Sequence, residues 1–257
     1  MGSGIAQVFA EHGFATVVFD PDPSVLEKAK NRIIRFAPDA INNITFTSSP
    51  HDCIADFVIE AIIENEIIKA ELFHHLESIN GADTIYATNT SSLAVSKLAE
   101  KMKRPENFAG MHFFNPAPLM KLVEVVTTTQ TSEATRSFIA TLAEGVGKIT
   151  VTVKDSPGFV VNRVARPYYL EALYLVEQEK VDHQLIDDLM EAAGFRMGPF
   201  RLMDLIGNDI NYSVSSIVYE ALGRPGRLKP SKLQQSMVKE GALGRKSGKG
   251  YYEYRDS

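Results

Sequence analysis

The 257-residue sequence predicts an α/β domain built on a mainly parallel sheet, followed by an all-α domain. Three observations carry that expectation. Short apolar runs alternate with helix-period segments as far as Val153, the pattern of a parallel sheet covered on both faces. From Val160 onward every long segment has helical period. Between them, Lys154-Asp155-Ser156-Pro157-Gly158 reads as a helix start, with Ser156 as N-cap and Pro157 at the first helical position. That places a boundary near Ser156, giving domains at 1–155 and 156–257.

Taken in order, residues 4–12 have helical apolar spacing (Ile5, Val8, Phe9), and Gly13 ends the run. Ala15 to Phe19 is a short β-branched run closed by an acid, Asp20. Helix, strand and terminal Asp make the second half of a nucleotide-binding βαβ unit, in which the acid receives ribose hydroxyls. The first half of that unit is not in the sequence. The full fingerprint needs a buried strand and a G-x-G-x-x-G turn, and Gly2 stands where its last glycine belongs. Residues 24–36 predict an amphipathic helix with Leu26, Ala29, Ile33 and Phe36 on one face. Lys28, Arg32 and Arg35 share a neighbouring face, either solvated or phosphate-binding.

Ile44 to Thr47 is a short strand, and Phe57 to Glu64 a buried parallel strand running into a loop. A helix follows to about Ser78, with Lys69 in its first turns. The strand Thr84 to Thr88 runs into Asn89-Thr90-Ser91-Ser92. Small polar residues at the carboxyl end of a parallel strand suit ligand binding; they equally suit an N-cap for the next helix. A helix over 132–144 capped by Ser132, then a strand from Lys148 to Val153, complete the first domain. In the second, Val161, Ala165, Tyr168, Ala172, Leu175 and Val176 form one helical stripe, with Asn162 in its first turns. Helices near 183–193, 202–222 and 231–239 follow, then a glycine-rich basic segment and a short aromatic strand, Tyr251 to Tyr254.

An apolar content of 44% with 23% charged residues is ordinary for a soluble globular protein. The net charge of −5 argues against nucleic acid or an anionic membrane as the main partner. Cys53 stands alone, which excludes an internal disulfide and a thiolate metal site and suits a core filler. No metal is expected. No apolar run approaches the ~20 residues of a membrane span, and the start has no signal-peptide character. A cytoplasmic or organelle-matrix location is the expectation.

The chemistry concentrates in His112 to Glu124, HFFNPAPLMKLVE. His112 closes one apolar run and Glu124 sits inside another, with Asn115, Pro116 and Pro118 forcing a turn between them. Buried glutamate is rare unless paired. Two strands folded back on that turn would let Glu124 reach the His112 ring, and a base oriented by a carboxylate is the logic of general acid–base catalysis. The alternative is a satisfied core histidine and an edge glutamate.

Together these residues resemble the 3-hydroxyacyl-CoA dehydrogenase family. The matching segments are MGSGIAQ at 1–7, IEAIIEN at 59–65, ATNTSSL at 87–93 and GMHFFNPAPLMKLVEVV at 110–126, continued by DSPGFVVNR at 155–163, MGPF at 197–200 and GRKSGKGYYEY at 244–254. The resemblance implies an NAD-binding Rossmann domain with a doubly wound sheet, then a helical domain for substrate binding and homodimer contact. It implies that His112 takes the proton from the 3-hydroxyl of an acyl-CoA as hydride leaves C3, and that Glu124 holds the ring. Ser91 and Asn162 would hydrogen-bond the reacting oxygen, Asn115 would set the nicotinamide, and Asp20 would bind the adenosine ribose, favouring NAD over NADP. Gly2, Glu64, Lys69, Ser91 and Lys246 complete the implied cofactor set. Fatty-acid β-oxidation or a related CoA pathway, including 3-hydroxybutyryl-CoA, is the implied setting.

Two departures stand beside the match. Without the leading strand and glycines, the sheet is expected to lack a central strand, and the chain to bind NAD poorly or to be a shortened version of a longer one. The connection after Phe36 is shorter than the family's helical hairpin, so its CoA contacts do not carry over. A catalytically silent homodimeric relative is therefore a second reading. A third, a dehydrogenase of small hydroxy acids or sugar phosphates, usually relies on a catalytic lysine, and the HFFNP histidine speaks against it.

Overall fold

In the computed structural model, which describes residues 1–254, seven strands form two sheets. The chain divides into two units, Met1–Asp155 and Ser156–Ser257; the last three residues of the second lie outside the described range.

The first unit opens with α1 (Gly2–Glu11), which stops where Gly13 takes a φ of 83°. Strand β1 (Thr16–Phe19) follows, then α2 (Pro23–Phe36), whose Asp22 side chain caps Ser24 N–H at 2.8 Å. β1 pairs in parallel with β2 (Ile44–Thr47) as a separate two-stranded sheet. Only Leu26 and Ile33 of the expected α2 face are buried; Phe36 is 65% exposed.

The larger sheet runs β3 (Phe57–Glu60), β4 (Ile85–Thr88), β5 (Phe108–Phe113), β6 (Leu122–Thr127), β7 (Ile149–Lys154). All pairings are parallel except β5 with β6. No ladder joins it to β1 or β2 among the described residues, as the interrupted sheet required. One expectation fails here: β3 is half-buried at Phe57, Val58 and Ile59, because its outer edge pairs with no strand. Cys53, expected in the core, is also only half-buried.

Strand alternation covers both faces. Ala87, Ala109, Met111, Val123 and Val125 pack with Ile5, Val8 and Phe9 of α1 and with Ile139 and Ala143 of α5 (Glu133–Gly145). Tyr86 and Phe108 point the other way, edge-on to Phe73 of α3 (Glu66–Ile79). Phe73 is fully buried, a contribution of roughly 1.5–3 kcal/mol. Ser132 caps α5 through Thr135 N–H.

The second unit is helical: α6 (Val161–Gln178), α7 (His183–Ala192), α8 (Pro199–Ile206), α9 (Asn208–Ala221) and α10 (Lys232–Lys239). Its core gathers Leu173, Phe200, Met203 and Val218. Two boundaries differ from expectation. Ser156 and Pro157 do not start a helix; α6 begins at Val161, after Gly158 and Phe159 at φ of 75° and 48°. A side chain at Gly158 would meet Val218 Cγ2 at 2.8 Å, so the backbone turns where only glycine fits. The stretch 202–222 is two helices, α8 and α9, parted at Gly207 with a φ of 104°.

Tyr251 to Tyr254 is not a strand. Isolated bridges link Lys249 to Gly244 and Glu253, and the backbone donates elsewhere. Tyr251 N–H and Tyr252 N–H both bond the carboxylate of Asp204 at 3.0 Å, as does the Tyr254 hydroxyl. Asp187 likewise accepts from Phe200 N–H, Arg201 N–H and the Tyr252 hydroxyl. Both carboxylates are fully buried. A Cβ at Gly198 would lie 2.4 Å from Asp187 Cα, backbone that cannot swing aside. Gly198→Ala is therefore expected to destabilise the second unit by about 1–3 kcal/mol or more, read as a lowered midpoint in thermal or urea unfolding.

Candidate active site

The β5–β6 ladder sets His112 directly opposite Glu124. Facing Cβ atoms in such a pair lie ~5 Å apart, close enough for one hydrogen bond without bending either strand. The structure makes that bond: His112 Nδ1 and Glu124 Oε2 are 2.9 Å apart. Both side chains are buried, and the Phe114 ring lies 4.6 Å from the imidazole centroid. With Nδ1 turned to the carboxylate, Nε2 is the nitrogen on the opposite side of the ring.

The turn between β5 and β6 is held from three sides. Asn115–Pro116 is cis, and Leu119 and Met120 N–H bond back to the Pro116 carbonyl. Lys148, at the start of β7's approach, sends its ammonium to the carbonyls of Ala117 (2.7 Å) and Met120 (3.0 Å). Burial pushes this amine below the usual lysine range, with Glu11 opposing. On α1, a Cβ at Gly4 would sit 3.3 Å from Pro118 Cδ, so the helix start packs on the turn. Asn115 itself is exposed at its head.

The loop 89–92 is not an N-cap: α4 (Val95–Ala99) begins beyond it, with no side-chain cap. It is stitched to its neighbours instead. Asn89 accepts from Phe113 N–H at 2.8 Å and donates its own N–H to the Glu60 carbonyl. Glu64 gathers the Thr90 hydroxyl, Ser91 N–H and the Ser92 hydroxyl. Lys69, with almost no exposure, lies 3.2 Å from Glu64 and 2.6 Å from Glu60. Glu60 also takes the Thr88 hydroxyl and Ile62 N–H, both at 2.7 Å. Burial alone would raise the Glu64 carboxyl; the Thr90 and Ser92 hydrogen bonds and the Lys69 charge reverse that and hold it below the usual glutamate range.

Of the residues singled out in the sequence, the fold thus joins His112 with Glu124, and Glu64 with Lys69 and Ser91. Asp20 follows β1 and accepts from Asp22 N–H at 2.9 Å. Gly2 opens α1 near Ala61. In the second unit, Asn162 lies in the first turn of α6 and its carbonyl accepts from Arg166 Nε. Lys246 pairs with Asp209 at 2.6 Å. Lys28, Arg32 and Arg35 are exposed. Glu60 was missed, although the reasoning that singled out Glu124 applies to it: a carboxylate inside a strand needs a partner. Nothing in the sequence marked Lys148, since its partners are backbone carbonyls.

The first unit offers donors that fit NAD. Asp20 places a carboxylate past β1 for ribose hydroxyls. The first turn of α1 carries neither acid nor side-chain cap, so its N–H groups suit a diphosphate. The loop 89–92 lies past the carboxyl end of β4, and His112 is next to last in β5, parallel to it. Among the described residues no His, Cys, Asp or Glu cluster is placed to hold a metal.

Residues 1–156 match the family model for the 3-hydroxyacyl-CoA dehydrogenase NAD binding domain, and residues 158–254 that for its C-terminal domain. The chain is 40% identical over 272 residues to the probable 3-hydroxybutyryl-CoA dehydrogenase of Bacillus subtilis, covering 100% of this chain and 94% of that protein. It is 39% identical over 271 residues to the 3-hydroxyadipyl-CoA dehydrogenase of Escherichia coli; there it covers 99% of itself but spans only 57% of the longer relative. The crystal structure of (S)-3-hydroxybutyryl-CoA dehydrogenase from Ralstonia eutropha superimposes with a TM-score of 0.92 at 35% identity, covering 100% of this chain and 96% of that one.

Because the folded-state affinity of Glu64 for a proton is depressed, its stabilising effect is present above the carboxylate's unfolded pKa of ~4.3 and is lost as pH falls through the lower folded value. Urea unfolding followed downward from pH 5 should therefore show a smaller loss of stability for Glu64→Gln than for the wild type.

Proposed function

The chain belongs to the 3-hydroxyacyl-CoA dehydrogenase family, and we propose that it catalyses NAD-dependent interconversion of (S)-3-hydroxyacyl-CoA and 3-oxoacyl-CoA. The observation that supports it most is the buried His112–Glu124 hydrogen bond. Histidine is the residue type suited to take and return a proton near neutral pH. Nδ1 is committed to Glu124, so Nε2 is the atom that accepts the 3-hydroxyl proton during oxidation and returns it during reduction. As the ring gains its proton, the carboxylate across the ladder stabilises the charge. Bound NAD supplies the hydride acceptor.

The remaining residues orient. Ser91, held by Glu64 through its N–H, offers a hydroxyl to the reacting oxygen, and Asn162 offers its amide. Asn115 sets the nicotinamide from the turn that Lys148 clamps. Asp20 receives the adenosine ribose; Gly2 heads the diphosphate-facing turn; Glu64, Lys69 and Lys246 complete the cofactor side. The unit 1–155 is the cofactor-binding domain and 156–257 the helical substrate and dimerisation domain. Exposed Val164, Leu189, Leu205 and Ile210 on the second unit suit a homodimer contact. We assign the chain to the cytoplasm and to fatty-acid β-oxidation or a related CoA pathway. No helix is long and apolar enough to cross a membrane among the described residues.

The test is acetoacetyl-CoA-dependent oxidation of NADH. His112→Ala should lower kcat by about a thousandfold and Glu124→Gln by about ten- to a hundredfold, with both variants folded by circular dichroism. Wild-type turnover matched by His112→Ala would refute the assignment. The unjoined edges of β1 and β3 favour the silent-relative reading; calorimetry with NADH separates the two, since tight binding excludes silence. Sedimentation should show a dimer.

A further inference from the structure

The backbone ladder between β4 and β5 stops at Thr88 opposite Gly110, although β5 runs on to Phe113. On its other edge β5 stays paired with β6 as far as Phe113 opposite Val123. The stretch Met111 to Phe113, with His112 at its middle, is thus held by backbone rungs from one side only. Phe113 is 3% exposed, and a buried N–H without an acceptor is costly. Asn89 supplies the acceptor: its Oδ1 takes the Phe113 N–H at 2.8 Å. Its own N–H donates to the Glu60 carbonyl, also at 2.8 Å, so the residue is itself anchored to β3. The head of Asn89 makes no other hydrogen bond among the described residues.

The side chain therefore adds one rung between the end of β4 and β5 where main chain provides none. Asn89 opens the loop that carries Ser91, and Phe113 follows His112 directly. Glu124 holds the His112 ring from the β6 side and decides which nitrogen faces away from it. It does not set how far the carboxyl end of β5 stands from β4. The Phe113 ring packs edge-on to Phe9, with centroids 6.4 Å apart, and so anchors β5 in the core by other means. The fold can spare the Asn89 bond; the spacing of the two segments cannot.

Resting on the dehydrogenase reading, we propose that Asn89 is a positioning residue for the reaction, setting the distance between the loop that carries Ser91 and the strand that carries His112. In that reading both side chains meet the same substrate oxygen, Ser91 as donor and His112 as proton acceptor. Two groups on separate segments serve one atom only while their separation is fixed. An offset of about 1 Å costs on the order of a hundredfold in rate.

The experiment is steady-state, acetoacetyl-CoA-dependent oxidation of NADH by the full chain carrying Asn89→Leu, which removes the acceptor at similar volume, or Asn89→Asp, which keeps it. Asn89→Leu should lower kcat by about 30- to 100-fold. KM for both substrates, and the NADH dissociation constant from calorimetry, should stay within about twofold, the signature of a loss confined to the reacting geometry. Asn89→Asp should recover kcat to within about fivefold of the wild type. Asn89→Ala gives the same comparison if the leucine variant does not fold, and failure of both to fold overturns the inference, since the bond would then serve the fold. Wild-type kcat in Asn89→Leu overturns it and leaves the dehydrogenase intact. So does an equal loss in Asn89→Leu and Asn89→Asp, or a loss carried by KM and NADH binding instead of kcat. Absence of turnover in the wild type overturns the dehydrogenase reading itself.

Discussion

The register between β5 and β6 is the constraint on which the first unit's chemistry depends. Side chains alternate faces along a strand, so a slip by one residue would send Glu124 to the far side of the sheet from His112. Hydrophobic patterning resists that slip: Val123 and Val125 are wholly buried in the core on the opposite face. The turn resists it too. Lys148 ties Ala117 and Met120 to the approach of β7, which pairs in parallel with β6 along its whole length. The facing of His112 and Glu124 is thereby held by three strands.

The second organising device is the charge network of Glu60, Lys69 and Glu64, in which Glu60 and Lys69 are buried and Glu64 reaches the surface. Removing such groups from water costs several kcal/mol each, and their mutual attraction only roughly repays it. The network is better understood as geometry than as stability. Each carboxylate receives more than one donor, among them groups on β4, on the loop after it and on α3. The loop carrying Ser91 is thus fixed from the β3 side by Glu64 and from the β5 side by Asn89. An isolated helix cap would leave it looser.

Much of this was legible in the sequence, and the parts that were not share a cause. The order of strands and helices followed from periodicity, and the His112–Glu124 pair from a carboxylate misplaced in an apolar run between two strands joined at prolines. What failed depends on approach between distant segments. The start of α6 is decided by how closely Gly158 lies to Val218, and the break at Gly207 by Asp209 and Lys246. The tail Tyr251 to Tyr254 has strand-like residues, but a buried carboxylate more than forty positions away claims its N–H groups. Burial of β3 was misjudged because an apolar run does not reveal whether its outer edge has a neighbour. Lys148 and Arg166 hold main-chain carbonyls, and main chain is the same at every position.

The clasp formed by Asp187 and Asp204 also constrains how this chain can vary. Each buried carboxylate receives successive amide hydrogens from a distant segment, and each is crowded by a glycine, Gly198 against Asp187 and Gly250 against Asp204. Neither half of such a pairing tolerates change alone: a larger side chain evicts the acid, and loss of the acid strands the amides. Acid and glycine therefore act as one packing unit, which gives Gly198 of MGPF and Gly250 of the terminal motif a structural role.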